Sequence, residues 1–159
     1  MTKQEEILKY LSLVKDPEIP AVNIVELGIV RNVRQEEDKT IVEITPTYSG
    51  CPAMKLIQDE ILAALREKGF ENVTIEVVYS PAWTTDWMSK ETKEKLRQYG
   101  IAPPVDNAGD ALTMDYEKVS CPYCNSTDTQ MRSRFGSTAC KSLYYCNSCN
   151  QPFEYFKSF

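Results

Sequence analysis

The sequence predicts an α+β protein in two parts: a small domain of helices and three strands, followed by a mostly β, cysteine-rich tail. Three observations support this. Helix and strand periodicities fill the first hundred residues, an aperiodic stretch with two adjacent prolines follows them, and five of the six cysteines lie in the last forty residues. We therefore expect a first domain over 1–104, a linker over 105–119 and a second domain over 120–159.

The first domain is expected to begin with a helix and a hairpin. A one-sided apolar stripe predicts a helix over 4–14, which must end before the prolines that follow it. Two β-rich runs over 29–34 and 40–45 are separated by a polar loop and predict a hairpin. A third alternating run, over 73–79, predicts a third strand.

Two further helices are marked by their ends. Pro52 suits a first helical position and Gly69 a helix stop, so a long amphipathic helix is expected between them. Ser89, or alternatively Asp86, is positioned to cap a charged helix that Gly100 ends.

The composition excludes several classes of partner and chemistry. The chain has 23 acidic and 18 basic residues, which argues against a general nucleic-acid binder. No apolar stretch is long enough to span a membrane and the N-terminus is too polar for a secretory signal, so we expect no membrane partner and a cytoplasmic location. The sequence has no histidine, so a metal site must use sulfur or carboxylate ligands.

The turn that contains Cys51 is the first candidate site. Gly50 and Pro52 flank this cysteine at a predicted helix start, where the helix dipole favours a thiolate over a thiol. Thiolates bind metals and attack electrophiles. The alternative is a small buried residue that caps the helix.

Other polar and aromatic side chains are expected near Cys51. If the strands before the Cys51 turn and before the tryptophan loop are neighbours, both loops meet at one sheet edge. Asp16 and Glu18 lie in a proline-rich loop that is a third contributor, although a solvated turn is the simpler interpretation. The tryptophans are more often core or lid residues. The expected site comprises Cys51, Asp16, Glu18, Thr47, Ser49, Trp83 and Thr85.

The tail contains two C-x-x-C pairs, each able to chelate one ion with two thiolates. The predicted ligands are Cys121, Cys124, Cys146 and Cys149. Four thiolates in short β-strands are typical of a zinc ribbon, and the metal would supply most of the folding free energy of so small a domain. The same ligands also suit iron or an iron-sulfur cluster. Cys140 is left over, as a buried non-ligand or, less favoured, an auxiliary ligand or redox thiol.

The motifs resemble those of a known family. They are Asp16-Pro17-Glu18-Ile19-Pro20, Leu27-Gly28-Ile29-Val30, Thr45-Pro46-Thr47-Tyr48-Ser49-Gly50-Cys51-Pro52 and Trp83-Thr84-Thr85-Asp86-Trp87. In this order they resemble the SufT-like metal-sulfur cluster biosynthesis family over 4–104. With the segments 100–104 and 135–141 and the second C-x-x-C pair, the whole chain is similar to the PaaD (or PaaJ) family of subunits of the bacterial phenylacetyl-CoA epoxidase system.

This resemblance implies a SufT-like α+β domain and a role in iron-sulfur maturation within phenylacetate catabolism. It implies that the client is the reductase subunit of the epoxidase, which carries a ferredoxin-type cluster. By position, Cys51 is the reactive cysteine, and Asp16 and Glu18 are its acidic companions.

Three functions follow. The first is an assembly factor in which Cys51 transiently holds iron or a nascent cluster; because one cysteine gives one ligand, the client, a small thiol or a second copy in a homodimer must supply the others. The second is a structural or coupling subunit that bridges oxygenase and reductase, for which Cys51 is dispensable. The third, an independent thiol enzyme, is least favoured because no activating base is evident.

Overall fold

The amino-terminal unit consists of two helices and a three-stranded sheet. In this computed structural model, which describes residues 1–48, 50–105 and 119–157, the helices are α1 (Lys3–Leu11) and α2 (Ala53–Glu67), and the strands are β1 (Val30–Glu36), β2 (Lys39–Ile44) and β3 (Val73–Val77). Each predicted element is present. The first helix ends three residues early, because the chain from Val14 onward turns into the loop that leads to β1.

The order of the sheet brings two chain segments together. The strands lie in the order β1-β2-β3, with β1 antiparallel and β3 parallel to β2. A parallel connection requires a crossover, which α2 provides. The carboxyl ends of β2 and β3 therefore lie at the same edge, as the proposed convergence of the Cys51 loop and the Trp83 loop requires.

The core of this unit lies between the helices and the sheet. Helix α2 buries Ala53, Ile57, Ile61 and Leu65, one residue every fourth position. The adjacent Met54 is only half-buried. Full burial of an isoleucine or leucine contributes about 1.5–3 kcal/mol, so this face of α2 anchors the helix whose start carries Cys51.

The carboxyl-terminal unit begins with a short 3₁₀ turn and helix α3 (Lys90–Gln98). Its strands are β4 (Ile101–Ala102), β5 (Thr129–Ser133), β6 (Lys141–Cys146) and β7 (Pro152–Phe156). Ser89, rather than Asp86, caps α3, and its hydroxyl accepts a 3.1 Å hydrogen bond from the Thr92 amide. Gly100 follows the helix with φ +91°, the left-handed backbone expected of a stop residue.

The second unit starts earlier in the chain than the sequence suggested. The chain divides into units of residues 1–83 and 84–159, whereas we expected a boundary at 104. The reason is β4, which pairs in parallel with β7 and so joins the segment after Trp83 to the cysteine-rich sheet. Most of the expected linker, residues 106–118, lies outside the described residues.

The sheet of the second unit has the order β4-β7-β6-β5. Its core is small and mixes cysteines with aromatic rings. The buried residues of this core are Ala102, Val119, Cys121, Tyr144, Cys146, Phe153 and Tyr155. So little apolar burial is consistent with a domain that depends on additional cross-linking. Within the ranges described, no helix is long and apolar enough to cross a membrane.

Candidate metal centre and cysteine loop

The four cysteines of the two C-x-x-C pairs meet at one point. Cys121 and Cys124 precede β5, Cys146 ends β6, and Cys149 lies in the turn before β7. All four sulfurs lie within 4.8 Å of one another. The structure therefore brings together the predicted metal ligands. Among the described residues, no other group of three or more cysteines and carboxylates is close enough to hold a metal ion.

The spacing of the sulfurs suits a single ion. The Sγ atoms of Cys121 and Cys149 are 3.7 Å apart, and those of Cys124 and Cys146 are 3.5 Å apart. Zinc–sulfur bonds of about 2.3 Å in a tetrahedron place neighbouring sulfurs about 3.8 Å apart. A cluster of several irons and bridging sulfides holds its cysteines farther apart, so this geometry favours one tetrahedral ion.

Both pairs form the same local turn. An asparagine with positive φ follows each second cysteine: Asn125 at 62° and Asn150 at 57°. Asparagine tolerates this left-handed backbone better than most residues. In both turns the amide of the first cysteine, at Cys121 or Cys146, donates to the carbonyl five residues later, at 2.9 and 3.0 Å. The sequence signal for these turns was the C-x-x-C-N repeat.

Backbone amides point at the sulfurs, and at Cys146 they favour the thiolate. The amides of Cys149 and Ser148 donate to the Cys146 sulfur, and with Cys124 they outweigh burial and lower the pKa of Cys146 to about 7. The Tyr123 amide lies 3.4 Å from the Cys121 sulfur. These amides stabilise the form of cysteine that binds metal.

Cys140 stands apart from the metal centre. It is buried, and its sulfur lies 3.0 Å from the Thr138 hydroxyl. It is not in the group of four clustered sulfurs. The auxiliary-ligand alternative therefore has no geometric support, and the role of Cys140 stays a prediction.

In the amino-terminal unit, Cys51 occupies a tight turn at the start of α2. Its amide donates to the Tyr48 carbonyl at 3.3 Å, and Pro52 already has helical dihedral angles. Gly50 has φ +76° with open space around the position of a Cβ, so the backbone conformation, and not crowding, requires glycine there. The thiol is half-buried.

We expected an activated Cys51 thiol, but its pKa is raised. Burial, with smaller contributions from Glu18 and Asp16, raises its pKa. The Ala53 amide and the Tyr48 hydroxyl oppose this shift by hydrogen bonding to the sulfur, but they do not outweigh burial. The helix start thus lowers the pKa of the thiol, but burial outweighs this effect and the net shift favours the protonated form.

The acidic loop has a small electrostatic effect on Cys51. Asp16 is buried, and its Oδ1 accepts hydrogen bonds from the amides of Glu18 at 2.9 Å and Ile19 at 2.8 Å. The Asx-type turn is thus present, but it is not solvated. Both carboxylates are close enough to Cys51 to raise the pKa of its thiol.

The remaining predicted site residues are placed differently. Trp83 is buried, and its indole N–H donates a 2.7 Å hydrogen bond to the Leu27 carbonyl, which favours a core role. Thr47 is half-buried in the Cys51 loop, and Thr85 is buried in the second unit. Ser49 lies outside the described residues. Thr47, Ser49 and Thr85 therefore remain predictions.

Sequence reasoning missed Tyr48 as a contributor to the site. Its hydroxyl bonds to the Cys51 sulfur, and the only signal was its position three residues earlier in a tight turn.

Comparison with known proteins identifies both parts. Residues 4–77 match the family described as iron-sulfur cluster assembly protein, and residues 106–157 match the PaaD zinc beta ribbon domain. The amino-terminal part is 38% identical to the Fe-S protein maturation auxiliary factor YitW of Bacillus subtilis, over 58% of this chain and 92% of that protein. It also resembles the crystal structure of a domain of unknown function, DUF59, from Bacillus anthracis, with a TM-score of 0.55, 29% identity, and coverage of 58% of this chain and 90% of that one.

The fold and its cysteine sites thus define a protein with an iron-sulfur assembly domain and a carboxyl-terminal zinc-ribbon domain. Over 96% of its length the chain is 47% identical to an Escherichia coli K12 protein described as a subunit of a "putative 1,2-phenylacetyl-CoA epoxidase", covering 91% of that protein. The chain belongs to this PaaD family.

Proposed function

We propose that this protein is an assembly factor for the iron-sulfur cluster of the reductase subunit of a phenylacetyl-CoA epoxidase system. Cys51 contributes a sulfur ligand to iron or to a nascent cluster, which is cargo and not a resident cofactor. The proposal draws on the assembly-family match of residues 4–77 and on the name of the E. coli relative.

One observation carries the proposal: a half-buried thiol at the start of α2 with two carboxylates acting on it. Burial, and to a smaller extent Glu18 and Asp16, disfavour a free negative sulfur and raise the pKa of Cys51. The same carboxylates attract a cation. A metal ion that arrives at the sulfur displaces its proton and is stabilised by both acids, so the arrangement suits metal binding better than nucleophilic attack.

This electrostatic setting argues against the independent thiol enzyme. Such an enzyme needs a thiolate with a lowered pKa or an adjacent base. Here the pKa of Cys51 is raised, and the sequence contains no histidine.

In the second domain we assign zinc to the four cysteines. The sulfur spacing and the all-thiolate donor set fit tetrahedral zinc. When bound, zinc supplies structural free energy, on the order of 10 kcal/mol in comparable sites. The chain's own amides hold the sulfurs in the orientation that receives it.

Cys51 offers a single thiolate, so a cluster needs more ligands. We propose that the client or a second copy of this chain supplies the missing ligands. Sedimentation with and without iron will test whether the chain forms a homodimer.

The test is co-expression of the reductase with wild-type protein or with Cys51→Ser. We expect Cys51→Ser to lower cluster occupancy of the reductase, measured by iron and sulfide content and by the visible absorption of the cluster. Cys140→Ser is the matched control, because it removes a cysteine outside the loop and should leave occupancy unchanged. Equal occupancy with wild-type protein and Cys51→Ser would contradict the proposal.

A second candidate is a structural subunit that couples oxygenase and reductase. The name of the E. coli relative, a subunit of the epoxidase, favours it. This function predicts stoichiometric co-purification with active epoxidase and no effect of Cys51→Ser. A requirement for only substoichiometric amounts of the protein favours the assembly role.

A further inference from the structure

Among the described residues, the ribbon sheet ends at strand β5, which pairs with β6 on one side and with no other strand. Gln130, Arg132 and Ser133 on this strand are exposed. A register shift between Met131 and Ser133 interrupts the pairing with β6. An edge strand presents backbone N–H and C=O groups that can pair with an extended segment of another chain.

Two positive charges on or near this strand are held against aromatic rings. The Arg132 guanidinium lies over the Tyr145 ring at 5.0 Å, and the Lys157 ammonium lies over the Phe135 ring at 4.3 Å. Lys157 also donates to the Ala139 carbonyl at 3.0 Å. A cation that stacks on an aromatic ring stays charged, and the contact restricts the motion of its side chain. Less side-chain entropy is therefore lost when the cation binds a partner.

The acidic residues of the ribbon have other roles. Residues 119–157 contain four basic side chains and two acidic ones. Glu154 accepts hydrogen bonds from the Ser137 amide and hydroxyl, and Asp128 accepts one from the Asn147 side chain at 3.0 Å. Within the part of the chain that the structure describes, no ion pair involves Arg132, Arg134 or Lys157.

Phe135 adds an apolar contact to this charged edge. It follows Arg134 directly after β5 and is 65% exposed. An exposed aromatic ring beside arginines is typical of the residues that dominate binding at protein interfaces.

We propose that the β5 edge, with Arg132, Arg134, Phe135 and Lys157, is a docking surface for an acidic, extended segment of a protein partner. The segment adds a strand beside β5, and its carboxylates pair with the stacked cations. If this partner is the client of the assembly domain, as the proposed function requires, it is the reductase subunit. The net charge of −5 for the whole chain disfavours a nucleic acid as the occupant.

The first experiment uses a short synthetic peptide of alternating Glu and Val residues, added to the full zinc-loaded chain and followed by amide chemical shifts. We expect shifts at 129–135, weaker binding as salt rises, and little binding of the matching Lys and Val peptide. The double variant Arg132→Glu/Arg134→Glu should raise the Kd on the order of tenfold.

Lys3→Glu/Lys90→Glu is the matched control. It makes the same change in net charge at exposed first positions of α1 and α3, where a negative side chain suits the helix dipole. We expect it to leave the peptide Kd unchanged. One zinc per chain and an unchanged melting temperature will show that the β5 variant is folded.

Four results would overturn the proposal: no shift at 129–135, equal binding of both peptides, tighter binding of a single-stranded oligonucleotide, or a homodimer that the β5 variant abolishes. Cys51→Ser separates the two proposals, since it should leave peptide binding intact. If peptide binding is confirmed but the reductase does not bind, the docking surface stands and the proposed client is wrong.

Discussion

The Trp83 indole N–H lies 2.7 Å from the carbonyl oxygen of Leu27 and donates a hydrogen bond to it. The bond joins the chain after β3 to the loop before β1, and both residues are buried. Trp83 therefore ties together two segments of the first unit that are far apart in sequence. This position indicates that the tryptophan fixes the structure of the unit in which Cys51 lies.

Replacement of this indole should destabilise the first unit. Trp83→Phe keeps an aromatic ring but leaves the buried Leu27 carbonyl without this donor, which costs about 1–3 kcal/mol, with a further loss from the smaller ring. Urea unfolding followed by circular dichroism will measure the change. Trp87→Phe is the control, because that indole is 38% exposed and should have a smaller effect. Equal stability of Trp83→Phe and wild type would show that the hydrogen bond contributes little.

Loss of one ribbon cysteine should abolish tight metal binding. Cys146→Ser removes a buried thiolate from the four clustered sulfurs. We expect the metal content to fall from one ion per chain to a small fraction, with loss of the β-sheet signal of the ribbon, because structural zinc supplies free energy on the order of 10 kcal/mol. Cys140→Ala should retain one ion. Retention of zinc by Cys146→Ser would contradict the assigned ligand set.

The reactivity of Cys51 should depend on pH with a defined sign. Because the pKa of this thiol is raised, alkylation of Cys51 should be slow at neutral pH and should accelerate until the pH exceeds that pKa. Glu18→Gln removes a negative charge that disfavours the thiolate. It should lower the pKa and speed alkylation at neutral pH about threefold. Mass spectrometry of the peptide that contains Cys51 measures the rate.

The acidic residue Glu60, on α2, provides a control for this measurement. Glu60→Gln removes the same charge, but Glu60 is not among the main causes of the pKa shift of Cys51. Its alkylation rate should match that of wild type. A slower rate for Glu18→Gln would reverse the sign and contradict the electrostatic description of the loop.

Gly50 should tolerate asparagine better than alanine. Its φ of +76° is unfavourable for most side chains, although a Cβ there would meet open space. Gly50→Ala should therefore cost about 1–2 kcal/mol through the backbone alone. Gly50→Asn should cost less, because asparagine adopts this conformation more readily. Thermal unfolding of both variants tests the difference, and equal melting temperatures would argue against a backbone origin.

The order and type of the elements could be predicted from local patterns. Ser89, Gly100 and the flanks of Cys51 act through caps, stops and turns that involve only a few neighbouring residues. The C-x-x-C pairs likewise predicted the four-cysteine group, because each pair chelates locally and a short sheet brings the two pairs together.

Tertiary structure alone decided three features. The joining of residues 84–102 to the ribbon depends on the pairing of β4 with β7, which connects segments some fifty residues apart. The buried Trp83 indole donates its hydrogen bond to a loop that is distant in sequence. The protonation of Cys51 depends on how much solvent the folded chain removes from the thiol. The sequence placed that cysteine at the positive end of a helix, but desolvation is a property of the packed structure, and there it outweighs the hydrogen bonds at the helix start.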